Sequence, residues 1–170
     1  KGNHINYGFY IGLNNKNARI IKKIYRKCKR HLVPIFGIKG FLGSSTGNLL
    51  VRDPESIYQS LKTGIINLFH CEDEEVLKKY ENIKYNTIED HNARRPWNAA
   101  VSAIDRIMAQ ARKVKKKARI YIPHISTLNE TEVIKRYRRE GFRILTEVTP
   151  HHLYFHLSKI RNSPLFKVNP

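Results

Sequence analysis

Short apolar runs alternate along this chain with longer stretches in which apolar residues return every three or four positions. Residues 7–13, 35–42, 65–70, 118–122 and 142–148 are runs of the first kind, and each predicts a strand. Residues 15–31 place Ile20, Ile21, Ile24, Tyr25 and Cys28 at helical spacing. Asp53-Pro54-Glu55 opens a short helix, with Asp as N-cap and Pro in the first turn. The acidic residues 72–75 suit another helix start. Arg95-Pro96 begins a longer helix with an expected core stripe of Trp97, Val101, Ile104, Met108 and Ala111. Thr127-Leu128-Asn129-Glu130 spells a capping box for a helix ending near Gly141. Residues 156–170 read as an extended, proline-punctuated tail.

Such alternation predicts an α/β fold with a parallel sheet. The strands look apolar throughout, so both sheet faces are expected to be covered. Several runs end in side chains that can hold a metal: Lys39, His70, His124 and the pair His151-His152. Parallel barrels place their chemistry at the carboxyl ends of strands, where separate strands converge. The recurrence of such endings carries more than any one of them.

Each candidate has a plainer reading. Lys39, on a buried-looking strand, must be neutralised, paired or modified, because an unpaired buried ammonium is costly. It either snorkels to solvent or is carboxylated by CO2 into a metal-bridging oxygen ligand. A lone strand-end histidine is more often a hydrogen-bonded core residue, but His70 and His124 lie on separate strands of one expected sheet. Glu72 and Asp73 could orient such a ligand, although starting a helix is the simpler role for both. Cys71 could join His70 on one ion only if the strand had already ended, since neighbouring strand residues face opposite ways. Of the adjacent pair His151 and His152, one is expected to line a pocket and the other to be structural. The loop 43–47 lacks the lysine and the spacing of a P-loop.

With 170 residues and 41% hydrophobic content, one domain spanning 1–170 is expected. This is short for a complete eight-stranded barrel, which takes about 250 residues. No run approaches a membrane span and the first residues lack a signal peptide's apolar stretch. Two cysteines are too few for a disulfide framework, so a cytoplasmic setting is the expectation. The formal charge of +18 has two readings: solvated helix faces, as in residues 20–30, 112–117 and 135–139, or contact with a polyanion such as RNA or DNA.

Gly37-Ile38-Lys39-Gly40-Phe41-Leu42-Gly43-Ser44-Ser45-Thr46-Gly47-Asn48, His70-Cys71-Glu72-Asp73, Arg95-Pro96, His124-Ile125-Ser126-Thr127 and Glu147-Val148-Thr149-Pro150-His151-His152-Leu153 occur in this order. The ordered set resembles the dihydroorotases, cyclic-amide hydrolases of the amidohydrolase superfamily. Lys167-Val168-Asn169-Pro170 is similar to the start of that family's Asn-Pro-Pro-Leu-Arg segment. Allantoinases and hydantoinases share parts of the pattern. The resemblance implies a TIM-type (β/α) barrel, about five of whose strands lie in this chain. It implies two Zn2+ ions bridged by a carboxylated lysine, here Lys39. His70 and His124 would hold one ion and Asn169 would contact substrate. The implied reaction interconverts N-carbamoyl-L-aspartate and L-dihydroorotate in pyrimidine synthesis, by hydroxide attack on a polarised amide carbonyl.

The family's first-strand His-x-His pair, its nearby arginine and its last-strand aspartate have no counterpart here. Gly40 stands where a larger apolar residue is usual, and Ala100 where a glutamate commonly follows Arg-Pro. The 170 residues alone are therefore expected to be inactive, and to self-associate or need a complementing chain to cover open sheet edges. The other expectation is a non-catalytic basic scaffold that binds nucleic acid or a partner protein.

Overall fold

The computed structural model describes residues 5–43, 49–160 and 163–170. The loop 43–47 falls, beyond Gly43, outside the described residues. Five strands form one sheet: β1 (Phe9–Gly12), β2 (Ile35–Phe41), β3 (Ile66–His70), β4 (Arg119–Ile122) and β5 (Arg143–Thr146). They lie side by side in chain order, each neighbouring pair parallel. Helices fill the crossovers: α1 (Ile21–Arg30), α2 (Pro54–Lys62), α3 (Glu74–Lys78), α4 (Ile88–Arg94), α5 (Trp97–Val114) and α6 (Leu128–Arg139), with a short α7 (Pro150–Tyr154) after β5. This is the α/β order of a partial (β/α) barrel.

Local signals set several boundaries. Asp53 accepts from the Glu55 amide and caps α2, with Pro54 in its first turn. Thr127 and Glu130 make a reciprocal capping box at α6, and Gly141 follows that helix at φ 89°. The helix expected over 15–31 is regular only from Ile21. Thr87 and Asp90 form a second capping box that starts α4, a helix that apolar periodicity does not announce. On α5 the buried stripe is Ala100, Ala103, Ile104, Ile107, Met108 and Ala111. Trp97, expected in the core, is 52% exposed, because the stripe begins a turn later and leaves the first helical position outside.

The two faces of the sheet differ, contrary to the expectation that both are covered. Ile38, Phe69, Ile120, Ile122 and Ile144 point under the helices and form the core with Ile57, Leu61, Ile104 and Met108. The opposite face carries one register row, Gly12–Lys39–Leu68–Tyr121–Leu145. Lys39, Leu68 and Tyr121 there are half-buried and Leu145 is 57% exposed. Strand residues alternate between faces, and among the described residues helices cover only one. Gly40 belongs to the covered face, opposite Phe69 in register; a Cβ there would sit 3.0 Å from the Phe69 ring. The small residue makes room for a large neighbour.

The tail is not simply extended. It forms a 3-10 turn at Pro164–Phe166, and the Val168 carbonyl is 2.7 Å from His91 Nε2 on α4.

Candidate active site

The strand-end residues meet above the row that holds Lys39. His70 ends β3 and pairs in register with Phe41, two residues beyond the Lys39–Leu68 pair and so on the same face of the sheet. His124 follows β4 after Pro123, with left-handed backbone at φ 44°, a region few residues with side chains adopt. His70 Nδ1 and His124 Nε2 lie 3.2 Å apart.

His70 Nε2 is 2.7 Å from Glu72 Oε2. A carboxylate only accepts, so Nε2 carries a proton, and in the neutral ring the Nδ1 lone pair then faces His124. Arg95 then grips the same carboxylate, donating from Nε to Oε1 at 2.8 Å and from Nη2 to Oε2. Glu72 is 2% exposed. Burial alone would raise its carboxyl, but hydrogen bonds from His70 and Arg95 outweigh that and hold it below the usual glutamate range. Gly43 allows the end of β2 to approach this turn, since a Cβ there would lie 2.5 Å from the Glu72 carbonyl. Glu72 and Asp73 thus divide the roles expected of both. Asp73 caps α3 through the Glu75 amide, and Glu72 orients His70.

His124 is driven to about 4 by burial, then by the nearby His70 and Lys39. Its Nδ1 is buried with no hydrogen-bond partner among the described residues. Lys39 is lowered to about 8 by burial, against the pull of Cys71 and Glu147, and its Nζ lies 4.7 Å over the Phe41 ring. Beside Lys39 in register, Leu68 separates it from Tyr121, whose hydroxyl donates to Glu147. Burial and that bond push Tyr121 up to about 12. Cys71 turns away: it is buried in the core, its thiol donating to the Phe69 carbonyl.

Asn169 lies elsewhere, in a cleft of about 360 Å³ with His91, Arg94, Arg95 and Lys167. Arg95 links this cleft to the histidines through Glu72. His152 borders a second cleft of about 380 Å³ that also includes Ile125, Thr146 and Glu147. Thr149 Oγ1 is 3.0 Å from His151 Nε2 and 2.9 Å from His152 Nδ1, and His152 Nε2 is buried and unpartnered among the described residues.

A metal fits part of this arrangement. In tetrahedral coordination at about 2.0–2.1 Å, two nitrogen ligands stand roughly 3.3 Å apart, close to the His70–His124 separation of 3.2 Å. Glu72 behind His70 is the carboxylate–histidine support that metal sites use. Among the described residues no group of three or more His, Cys, Asp or Glu forms a complete site.

Comparison with known proteins adds an independent line. A dihydroorotase from Thermococcus kodakarensis is 32% identical over 132 residues, covering 78% of this chain and 28% of that protein. The chain resembles the dihydroorotases. It spans little more than a quarter of that relative's length. An allantoinase from Streptomyces avermitilis is 28% identical over 155 residues, covering 88% of this chain and 33% of the relative. Among solved structures, D-hydantoinase from Bacillus sp. AR9 superposes with a TM-score of 0.73 at 22% identity, covering 91% of this chain and 34% of that one. The shared fold is the TIM-type barrel of these hydrolases, of which the dihydroorotase-like chain holds five strands. No protein-family model matches the chain.

Proposed function

We propose that the chain supplies part of the active site of a dihydroorotase-type, metal-dependent cyclic amidohydrolase. Lys39, His70 and His124 would hold divalent metal, with Zn2+ the first candidate. Asn169 would contact substrate from the neighbouring cleft. The observation that carries this reading is the convergence of His70 Nδ1 and His124 Nε2 at 3.2 Å, with the His70 proton held away by Glu72. Bound metal would supply Lewis acidity that polarises an amide carbonyl and activates water.

The chain's own residues prepare for that. Glu72 keeps the His70 lone pair directed inward, and Arg95 keeps Glu72 ionised in a buried setting. Burial of Lys39 enlarges its share of free amine, the form that adds CO2. The substrate pair favoured by the sequence relatives is N-carbamoyl-L-aspartate and L-dihydroorotate, in pyrimidine synthesis; the allantoinase relative and the hydantoinase fold keep other cyclic amides as the second reading. Among the described residues no helix is long and apolar enough to cross a membrane. Free Cys28 and Cys71 suit a reducing compartment.

Calorimetric titration of the metal-free chain with Zn2+, with and without bicarbonate, tests the site. Binding should be lost in His70→Ala and His124→Ala, and weakened in Lys39→Ala or without bicarbonate. Unchanged binding in a folded His70→Ala/His124→Ala chain would overturn the assignment. Because these 170 residues contain no His-x-His pair, metal binding without turnover is expected. Dihydroorotate hydrolysis by the chain alone would contradict that.

A further inference from the structure

The positive charge is unevenly placed. Residues 1–52 contain eleven Lys and Arg and no Asp or Glu; the first acidic residue is Asp53. Six of the eleven lie on α1: Lys22, Lys23, Arg26, Lys27, Lys29 and Arg30, all exposed. At 3.6 residues per turn these positions fall within less than half the helix circumference. The other side bears Ile21, which is buried, and Ile24, Tyr25 and Cys28, which are half-buried. Lys16 and Arg19, just before the helix, are also exposed.

Ordinary helix electrostatics account for only part of this. Lys27, Lys29 and Arg30 occupy the last turn, where cations suit the dipole. Lys22 and Lys23 occupy the first turn, which holds no acidic residue and where the dipole opposes them. Like charges three and four apart also repel. Among the described residues none of the six forms an ion pair; the ion pairs all involve residues from His70 onward. The face therefore holds its charges at a local cost and without an internal partner.

The geometry points to α1 as a docking face for the phosphate backbone of a nucleic-acid duplex. The partner must be a polyanion, because the face is cationic along its whole length. An inserted membrane helix would need its apolar side free, and here that side packs onto the sheet. The exposed arc of α1 presents no aromatic ring to stack on bases, so contact is with phosphates and independent of sequence. This surface lies apart from the strand-end site and does not depend on it.

Fluorescence anisotropy of the full chain with labelled RNA and DNA duplexes of scrambled sequence tests the inference across a salt series. Both duplexes should bind, with affinity falling steeply as salt rises. Combining Lys22→Gln, Lys23→Gln, Arg26→Gln and Lys27→Gln should weaken binding about tenfold or more and flatten the log–log salt slope by about three to four. Combining Lys84→Gln, Lys113→Gln, Lys135→Gln and Arg139→Gln removes the same charge elsewhere and should have a much smaller effect. Circular dichroism of both variants should match the parent. Absence of duplex binding at low salt, or equal losses in the two variants, would overturn the assignment. So would preference for phosphatidylserine vesicles over duplexes, to which exposed Ile20 and Leu32 could contribute.

Discussion

Two glutamates in this chain are almost fully removed from water, yet their surroundings treat them in opposite ways. Glu72, after β3, is 2% exposed, and Glu130, in the first turn of α6, is 1% exposed. Glu72 faces an arginine and a histidine, and its carboxyl is held below the usual range. Glu130 faces only neutral donors. Its Oε2 accepts from the amides and hydroxyls of Ser126 and Thr127 at 2.9–3.1 Å, but burial wins and the carboxyl is raised. Burial disfavours the charge in both places, and a cationic partner is what reverses the outcome. The first environment suits a site that must keep an imidazole lone pair aimed; the second suits a helix cap.

The strongest way to break the contrast is Arg95→Ala. It leaves Glu72 buried with His70 as its remaining partner, and a loss of about 3 kcal/mol is expected in urea unfolding. A loss under about 1 kcal/mol would mean that the arginine is not what stabilises the buried charge. Glu130→Ala should cost less, about 2 kcal/mol, because it removes a cap rather than stranding a charge. Its effect should centre on α6, read by hydrogen exchange.

Acidity sharpens the comparison further, because the signs differ. The Glu72 carboxyl is depressed when folded, so its contribution is present above the ordinary value near 4.5 and is lost as pH falls through the depressed one. The Glu130 carboxyl is raised, so its contribution is full below 4.5 and declines as pH rises through the elevated value. In melting curves of the metal-free chain, the advantage of the parent over Glu72→Gln should shrink on acidification. Its advantage over Glu130→Gln should shrink as pH rises. Parallel curves would erase the distinction. The smallest effect belongs to Lys135→Ala, which removes an exposed pair with Glu132 and should leave Tm unchanged within error.

Much of the frame was legible because its signals are local. Asp53-Pro54 and Thr127…Glu130 announce helix starts within four residues, and β2 through β5 fall inside their apolar runs. α4 was missed because 88–94 carries almost no apolar periodicity and starts on a Thr–Asp box. The periodic stripe puts Trp97 with the core because it shows which residues share a side, without saying where along the helix burial begins. The roles of Glu72 and Asp73 could not be separated locally: one depends on Arg95, 23 residues away, and the other on the next amides. The Tyr121–Glu147 contact has no sequence spacing that signals it, since it joins neighbouring strand ends across a helix.

The sequence by itself determined the alternation of strands and helices, the placement of His70 and His124 at the carboxyl ends of their strands, and the placement of Lys39 within β2. Side-chain period and capping chemistry act over a few residues and need no tertiary partner. Only the tertiary structure decided that His70 and His124 meet at 3.2 Å, that Glu72 aims one of them, and that the helices among the described residues cover only one face of the sheet. Those outcomes depend on strand register and on which helices cover which face, so they arise from contacts between residues far apart in the chain.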